Sequence, residues 1–265
     1  MCGIAGYSLS AGSRVDRTLA AQALLAAISD RGAHAVGFAY RGPSVPLAVH
    51  KQRTGASELL ETLSVPSAAN QVLVHVRDYT KGHPSLAANN HPVRHGSVVG
   101  IHNGIIRNDE EIFARHRFER HEEDMSVDSE AIFALAELDR GASALSELHG
   151  SMAAAWFDER RPEPLFLARG IGRPLWLGEA EHERFFASTE EALELTERYT
   201  DVTLRKKEVP EGTLLTLAHG RVAEREGFAP DRSFVESPLP SVRAPDEARS
   251  CLALLASIAA PATAR

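Results

Sequence analysis

The period of the apolar positions changes several times along the chain, and each change marks an element. Residues 2–9 (CGIAGYSL) form an almost unbroken apolar run, which predicts a short buried strand. Over residues 16–29, leucines, alanines and Ile28 recur at helical spacing behind Asp16, a suitable N-cap. Arg31-Gly32 breaks that pattern, and residues 36–40 and 45–50 predict a strand pair turning around Gly42-Pro43. A short helix is expected over 57–63, and residues 71–77 and 97–101 alternate as strands. Between those strands lie about 18 residues rich in Gly, Pro, His and Asn, longer than connections usually run, so this is a functional loop or a misread element. Residues 109–116 and 127–139 read as helices. After Gly150 short strands dominate (152–157, 165–169, 175–178, 185–188, 202–206, 214–218 and 222–225), interrupted by a helix over 189–199. Proline-rich residues 229–245 precede an amphipathic helix over 246–258 and a short tail.

Two strand-rich stretches with helices between and outside them predict layered α+β packing rather than alternating βαβ units. One domain is expected over 2–228, with 229–265 as an extended segment and a terminal helix.

Composition narrows the function. At 265 residues with 43% hydrophobic positions, the chain can bury a full core, which excludes a disordered tail. With 36 acids against 29 bases, binding of nucleic acid through bulk charge is not expected. Two cysteines cannot staple a chain this long, and no signal peptide or span of ~18 apolar residues is visible, so a cytoplasmic protein without a membrane partner is expected. The 12 histidines form no recognised metal-ligand spacing, so neither metal nor cofactor is expected. Gly170 and Gly172 lack the rest of a phosphate loop, Cys251 reads as packing, and the acidic run 119–124 reads as a solvated loop.

Candidate chemistry starts at Cys2. Once Met1 is removed, its α-amine, with a pKa of ~7.7–8.0, sits on the same residue as the thiol and can serve as its base. Taken alone, Cys2 reads more simply as a small buried residue. Arg77 ends a strand and offers a carboxylate a bidentate partner. Asn103 supplies an amide, and Gly104 lets a backbone N–H approach a reacting carbonyl, as an oxyanion hole requires. Asp128 opens a helix and reads either as an N-cap or as the partner of a substrate ammonium.

In order and spacing these pieces are similar to the glutaminase domain of class II glutamine amidotransferases, members of the N-terminal nucleophile hydrolases. The resemblance is carried by Cys2-Gly3-Ile4-Ala5-Gly6, Arg31-Gly32 with Gly37, Arg77 followed by Thr80 and Gly82, and Asn89-x-His91-Pro92. It continues through His102-Asn103-Gly104-x-Ile106-x-Asn108, Asp128-Ser129-Glu130, Ala168-Arg169, Arg173-Pro174-Leu175, Phe186-Ala187-Ser188-Thr189-Glu190 and Pro210-Glu211-Gly212, covering roughly residues 2–220.

The resemblance implies a four-layer α-β-β-α sandwich with two stacked, mainly antiparallel sheets. It also implies that Cys2 attacks the glutamine side-chain amide, forming a thioester and releasing ammonia, with Asn103 and Gly104 as the oxyanion hole. Arg77 and Thr80 would bind the substrate α-carboxylate, Asp128 its ammonium, and His91 with Asn89 would hold the loop over the site. Three positions depart from the synthase-type pattern: Asp78, Lys81 and His34. At 265 residues a fused synthase domain is not expected, which leaves a separately encoded synthase partner, a free-standing γ-glutamyl amidohydrolase or a non-catalytic binding module. The sequence assigns no oligomeric state.

Overall fold

The first apolar run forms β1 (Gly3–Leu9), buried along its whole length. The computed structural model describes residues 2–235 and 244–260. The following strands are β2 (Ala35–Gly42), β3 (Val45–Gln52), β4 (Gln71–Arg77), β5 (Val93–His95), β6 (Val98–Ile106) and β7 (Gly150–Asp158). After these come β8 (Arg161–Arg169), β9 (Trp176–Glu179), β10 (Glu183–Ala187), β11 (Arg205–Glu208), β12 (Thr213–Ala218) and β13 (Arg221–Gly227). The helices are α1 (Arg17–Ile28), α2 (Ala56–Thr62), α3 (Asp109–His116), α4 (Glu130–Glu137), α5 (Glu190–Thr200) and α6 (Pro245–Ala259).

Among the described residues the strands make two sheets, ordered β11-β9-β10-β1-β4-β2-β3 and β13-β12-β8-β7-β6-β5, with antiparallel neighbours throughout. Strand alternation then sorts side chains into layers. Ile4, Leu73, Ile101, Phe157, Leu167 and Leu215 fill the space between the sheets. Tyr7, Leu9, Phe38, Val72 and Val74 face outward onto α1, α2, α5 and α6. On the other sheet Trp156, Phe166 and Ala168 pack with α3 and α4. The result is the expected α-β-β-α sandwich.

Arg41 joins the sheets. Its buried guanidinium donates to Gln71 Oε1 at 2.8 Å and to the carbonyls of Asp158 (2.9 Å) and Arg161 (3.0 Å), and also to that of Pro164. The group lies 4.5 Å above the Phe157 ring, and burial lowers its pKa to about 10.

Several boundaries differ from expectation. β6 does not stop at residue 101; it carries His102-Asn103-Gly104 onward, because pairing with β7 continues to Ile106 opposite Gly150. The long loop holds a short 3-10 turn (Ala87–Asn89) and β5, which pairs with β6. α4 begins at Glu130 rather than 127, and β11 lies at 205–208 rather than 202–206, where it pairs with β9. The acids of the run 119–124 are exposed as expected, while Arg120 and His121 within it are anchored. Arg120 stacks 4.0 Å from the Phe113 ring and bridges Asp109 and Glu130, while Glu130 also accepts the His121 N–H at 2.7 Å.

α6 packs against α1 and α2, with Cys251 and Leu255 buried. Gly55 caps α2 with no side chain, and Glu247 of α6 takes its place, accepting both the N–H and the hydroxyl of Ser57 at 2.9 Å. Burial raises the Cys251 thiol to about 11, which leaves it an inert packing group. Of the expected extended segment, residues 236–243 lie outside the described residues, as do 261–265 of the tail.

Candidate active site

The pairing of β1 with β4 places Gly3 opposite Val76, so Cys2 meets the end of β4, where Arg77 lies. The Cys2 thiol donates to the Asp78 carbonyl at 3.3 Å, and Arg31 Nε donates to the Cys2 carbonyl at 3.0 Å. Burial raises the thiol pKa, outweighing the lowering by the Asp78 backbone and the Arg77 charge. The resting thiol is therefore protonated at neutral pH and needs a base. Gly32 permits this crowding, since a Cβ there would lie 2.5 Å from the Arg77 carbonyl carbon.

The second sheet contributes β6. His75 on β4 donates from Nε2 to the His102 carbonyl at 3.1 Å, tying the sheets together one residue before Asn103. Asn103 is 1% exposed, and its amide nitrogen has no hydrogen-bond partner. Buried donors are rarely left unpaired, so this N–H pair is free for a ligand oxygen. Gly104 has φ +148°, and a Cβ there would sit 1.9 Å from the Ser151 carbonyl oxygen. Beneath them His102 accepts from Ser129 Oγ at 2.8 Å and donates to the Ser151 carbonyl at 3.3 Å. Burial pushes the pKa of His75 and of His102 down to about 3, so both rings are neutral.

Arg77 is 2% exposed, and its fork holds the loop, donating to Asn90 Oδ1 at 2.5 Å and to the carbonyls of Lys81 (2.9 Å) and Gly82 (2.5 Å). Its charge lowers the pKa of the Cys2 thiol, and the charge of Asp128 acts on Arg77 in turn. Asp128 does not cap α4: its Oδ2 accepts the Ile106 N–H at 2.7 Å, and burial raises its pKa to about 6. Asn89 Oδ1 holds the N–H groups of Ser126 (2.9 Å) and Val127 (3.0 Å), fixing the segment that carries Asp128.

His91 packs against His75 of β4. It is 3% exposed, stacked on His75 at 4.2 Å, and neither ring nitrogen has a partner. Thr80 is exposed and, with Lys81, Ile105, Ile106, Arg107 and Asp109, lines a cavity of about 210 Å³. A larger groove of about 760 Å³, between β3 and α2, holds none of these residues.

Two of the three departures, His34 and Asp78, lie side by side, and the third finds a partner elsewhere. His34 Nδ1 accepts the Tyr79 N–H at 3.2 Å and lies 3.4 Å from Asp78 Oδ1, while Lys81 pairs with buried Asp109 at 2.5 Å. Sequence reading passed over His75, Asn90 and Lys81 as site residues; a histidine inside the apolar strand 71–77 was the available signal. Among the described residues no group of three or more His, Cys, Asp or Glu is placed to hold a metal ion. No helix among them is long and apolar enough to cross a membrane.

Residues 77–195 match the family model for the glutamine amidotransferase domain. The glutamine–fructose-6-phosphate aminotransferase of Haemophilus influenzae is 33% identical over 168 residues, 58% of this chain and 27% of that protein. Its counterpart in Escherichia coli K12 is 30% identical over 177 residues, 63% of this chain and 28% of that protein. The chain thus spans about a quarter of the length of these curated relatives. Two solved structures share the fold. One is the glutamine phosphoribosylpyrophosphate amidotransferase of B. subtilis complexed with ADP and GMP, with TM-score 0.65, 19% identity, and coverage of 85% of this chain and 49% of that one. The other, an allosteric regulatory enzyme of purine biosynthesis, gives TM-score 0.66 and 20% identity with the same coverage. Motif order, sandwich fold and these likenesses agree: over residues 77–195 the chain is similar to the glutamine amidotransferase domain, and it shares the fold of the two solved structures.

Proposed function

We propose that this chain hydrolyses the side-chain amide of glutamine to glutamate and ammonia, with Cys2 as nucleophile. The observation that carries the reading is the unpartnered, buried Asn103 amide beside the glycine-only backbone of Gly104, on the strand tied to Cys2's own sheet. The Cys2 α-amine, free once Met1 is removed, takes the thiol proton, and sulfur attacks the amide carbon. Asn103 and the Gly104 N–H stabilise the oxyanion. The amine then protonates the leaving nitrogen, ammonia departs and a thioester remains; water adds to it, releasing glutamate and restoring the thiol. Asp128 holds the substrate ammonium, and Arg77 with Thr80 faces its α-carboxylate. His91 supports His75 from behind and acts as a positioning residue.

The ammonia passes to a synthase, a reading supported by relatives named as glutamine–fructose-6-phosphate aminotransferases. Ammonia release from glutamine by the processed protein, absent in Cys2→Ala, tests the reaction. Intact mass tests its premise: an active form that retains Met1 is incompatible with the α-amine as base.

A further inference from the structure

The Arg77 fork is held by a side chain that the reaction above does not use. Asn90 follows the 3-10 turn Ala87–Asn89 and is 3% exposed. Its Oδ1 accepts from Arg77 Nη1 at 2.5 Å, and its Nδ2 donates to the Pro84 carbonyl at 2.8 Å. Its own carbonyl accepts Lys51 Nζ of β3 at 3.1 Å. A guanidinium only donates and a carbonyl only accepts, so a single orientation of the amide satisfies both neighbours. Arg77 Nη2 meanwhile donates to the carbonyls of Lys81 and Gly82. Arg77 and Asn90 together grip the loop at residues 81, 82 and 84. The same loop begins at Asp78, whose carbonyl accepts the Cys2 thiol.

The acceptor at position 90 is also uncharged. Buried cations are usually paired with carboxylates, which hold them and cancel their charge at once. Arg77 is 2% exposed, and its three bonds run to neutral oxygens. A neutral acceptor fixes the guanidinium and leaves its charge intact. Against the rise that burial causes, that charge pulls the Cys2 thiol down.

We infer that Asn90 is a positioning residue, which seats Arg77 and the loop from Asp78 through a neutral bond, so that Arg77 keeps its full charge beside Cys2. Asn90 acts through Arg77 and touches no reacting atom. Its effect on glutamine affinity rests on the glutamine reading above, and its effect on the thiol does not.

The test compares the full chain with Asn90→Asp and Asn90→Ala. Asn90→Asp is isosteric; it keeps an oxygen on Arg77 and cancels the charge, at the cost of the Pro84 bond. Asn90→Ala removes the grip and keeps the charge. Alkylation of Cys2 by iodoacetamide at neutral pH, read on its own peptide by mass spectrometry, needs no substrate. A carboxylate at position 90 leaves about tenfold less thiolate, partly offset by greater nucleophilicity, so alkylation of Asn90→Asp is expected to slow about threefold. In Asn90→Ala it is expected to hold or rise, while hydrogen exchange at 79–84 increases about tenfold. A loosened loop alone would speed alkylation in both variants. Glutamine KM for ammonia release is expected to be about tenfold higher in both, with kcat less affected. If Asn90→Ala does not fold, Asn90→Ser, whose hydroxyl is too short to reach Arg77, is read in its place.

Alkylation of Asn90→Asp at or above the parent rate, or an equal fall in both variants, overturns the inference. The expected alkylation pattern without ammonia release from the parent retires the glutamine reading and keeps Asn90. Ammonia release with unmoved alkylation does the reverse, and neither change nor release overturns both.

Discussion

His75 Nε2 lies 3.1 Å from the His102 carbonyl oxygen, and this bond sets the distance between the two halves of the proposed catalytic site. β4 supplies Arg77 two residues further on, and β6 supplies Asn103 next in line. Because the His75 ring is buried and neutral, it fixes the spacing without placing a charge behind the nucleophile.

Asn103 and Gly104 are expected to fail in different ways. Asn103→Ala removes an unpaired donor from a well-packed strand and should fold normally, with kcat for ammonia release lowered about 10²–10³-fold. Gly104→Ala must displace the Ser151 carbonyl and should lose stability first. Urea midpoints measured beside kcat distinguish the two; a normal kcat in Asn103→Ala would remove it from the oxyanion hole.

Acid should unfold the protein earlier than its carboxylates alone require. His75 and His102 have folded pKa values of about 3, and His91 is also held below its ordinary value by burial. The unfolded chain takes up these protons from about pH 6.5 downward while the folded chain does not, at a cost of up to about 1.4 kcal/mol per pH unit for each ring. Asp128, raised to about 6, works the other way between pH 6 and 4, but one carboxyl cannot offset three rings. Urea midpoints should fall between pH 6.5 and 4.5 in the wild type and fall less in His102→Asn.

Glutamine affinity should have its own acid limb. Asp128 pairs with an ammonium only when ionised, so KM should rise as pH drops below about 6. Asp128→Asn should show a high KM at every pH, without that limb. An unchanged pH profile in the variant would assign the titration elsewhere.

Arg41→Ala should cost about 3 kcal/mol, because carbonyls of the second sheet and Gln71 lose a buried charged donor. The affected groups lie at the end of the sandwich away from β1's start, so KM of the surviving folded protein should not change. Denaturant titration with kinetics below the transition checks both halves of this expectation.

Glu247→Ala should cost about 1 kcal/mol by leaving the Ser57 N–H and the start of α2 uncapped. Hydrogen exchange should rise at residues 56–59. No change there would mean that α6 is held by Cys251 and Leu255 alone.

Much of this protein was legible along the chain. The apolar run of β1, the helical spacing and Asp16 cap of α1, the helix at α5 and the ordered motifs from Cys2 to Asp128 are local signals; a cap or a period involves residues a few positions apart. Tertiary structure alone decided that β6 runs through Asn103-Gly104, since glycine and asparagine are poor strand formers and only the ladder with β7 keeps them extended. It alone decided that Asp128 bonds Ile106 rather than capping α4, that His91 lies behind His75, and that His34 accepts from Tyr79. Those pairs join residues from separate elements. Their choice of partner depends on sheet register and burial, which local periodicity does not encode.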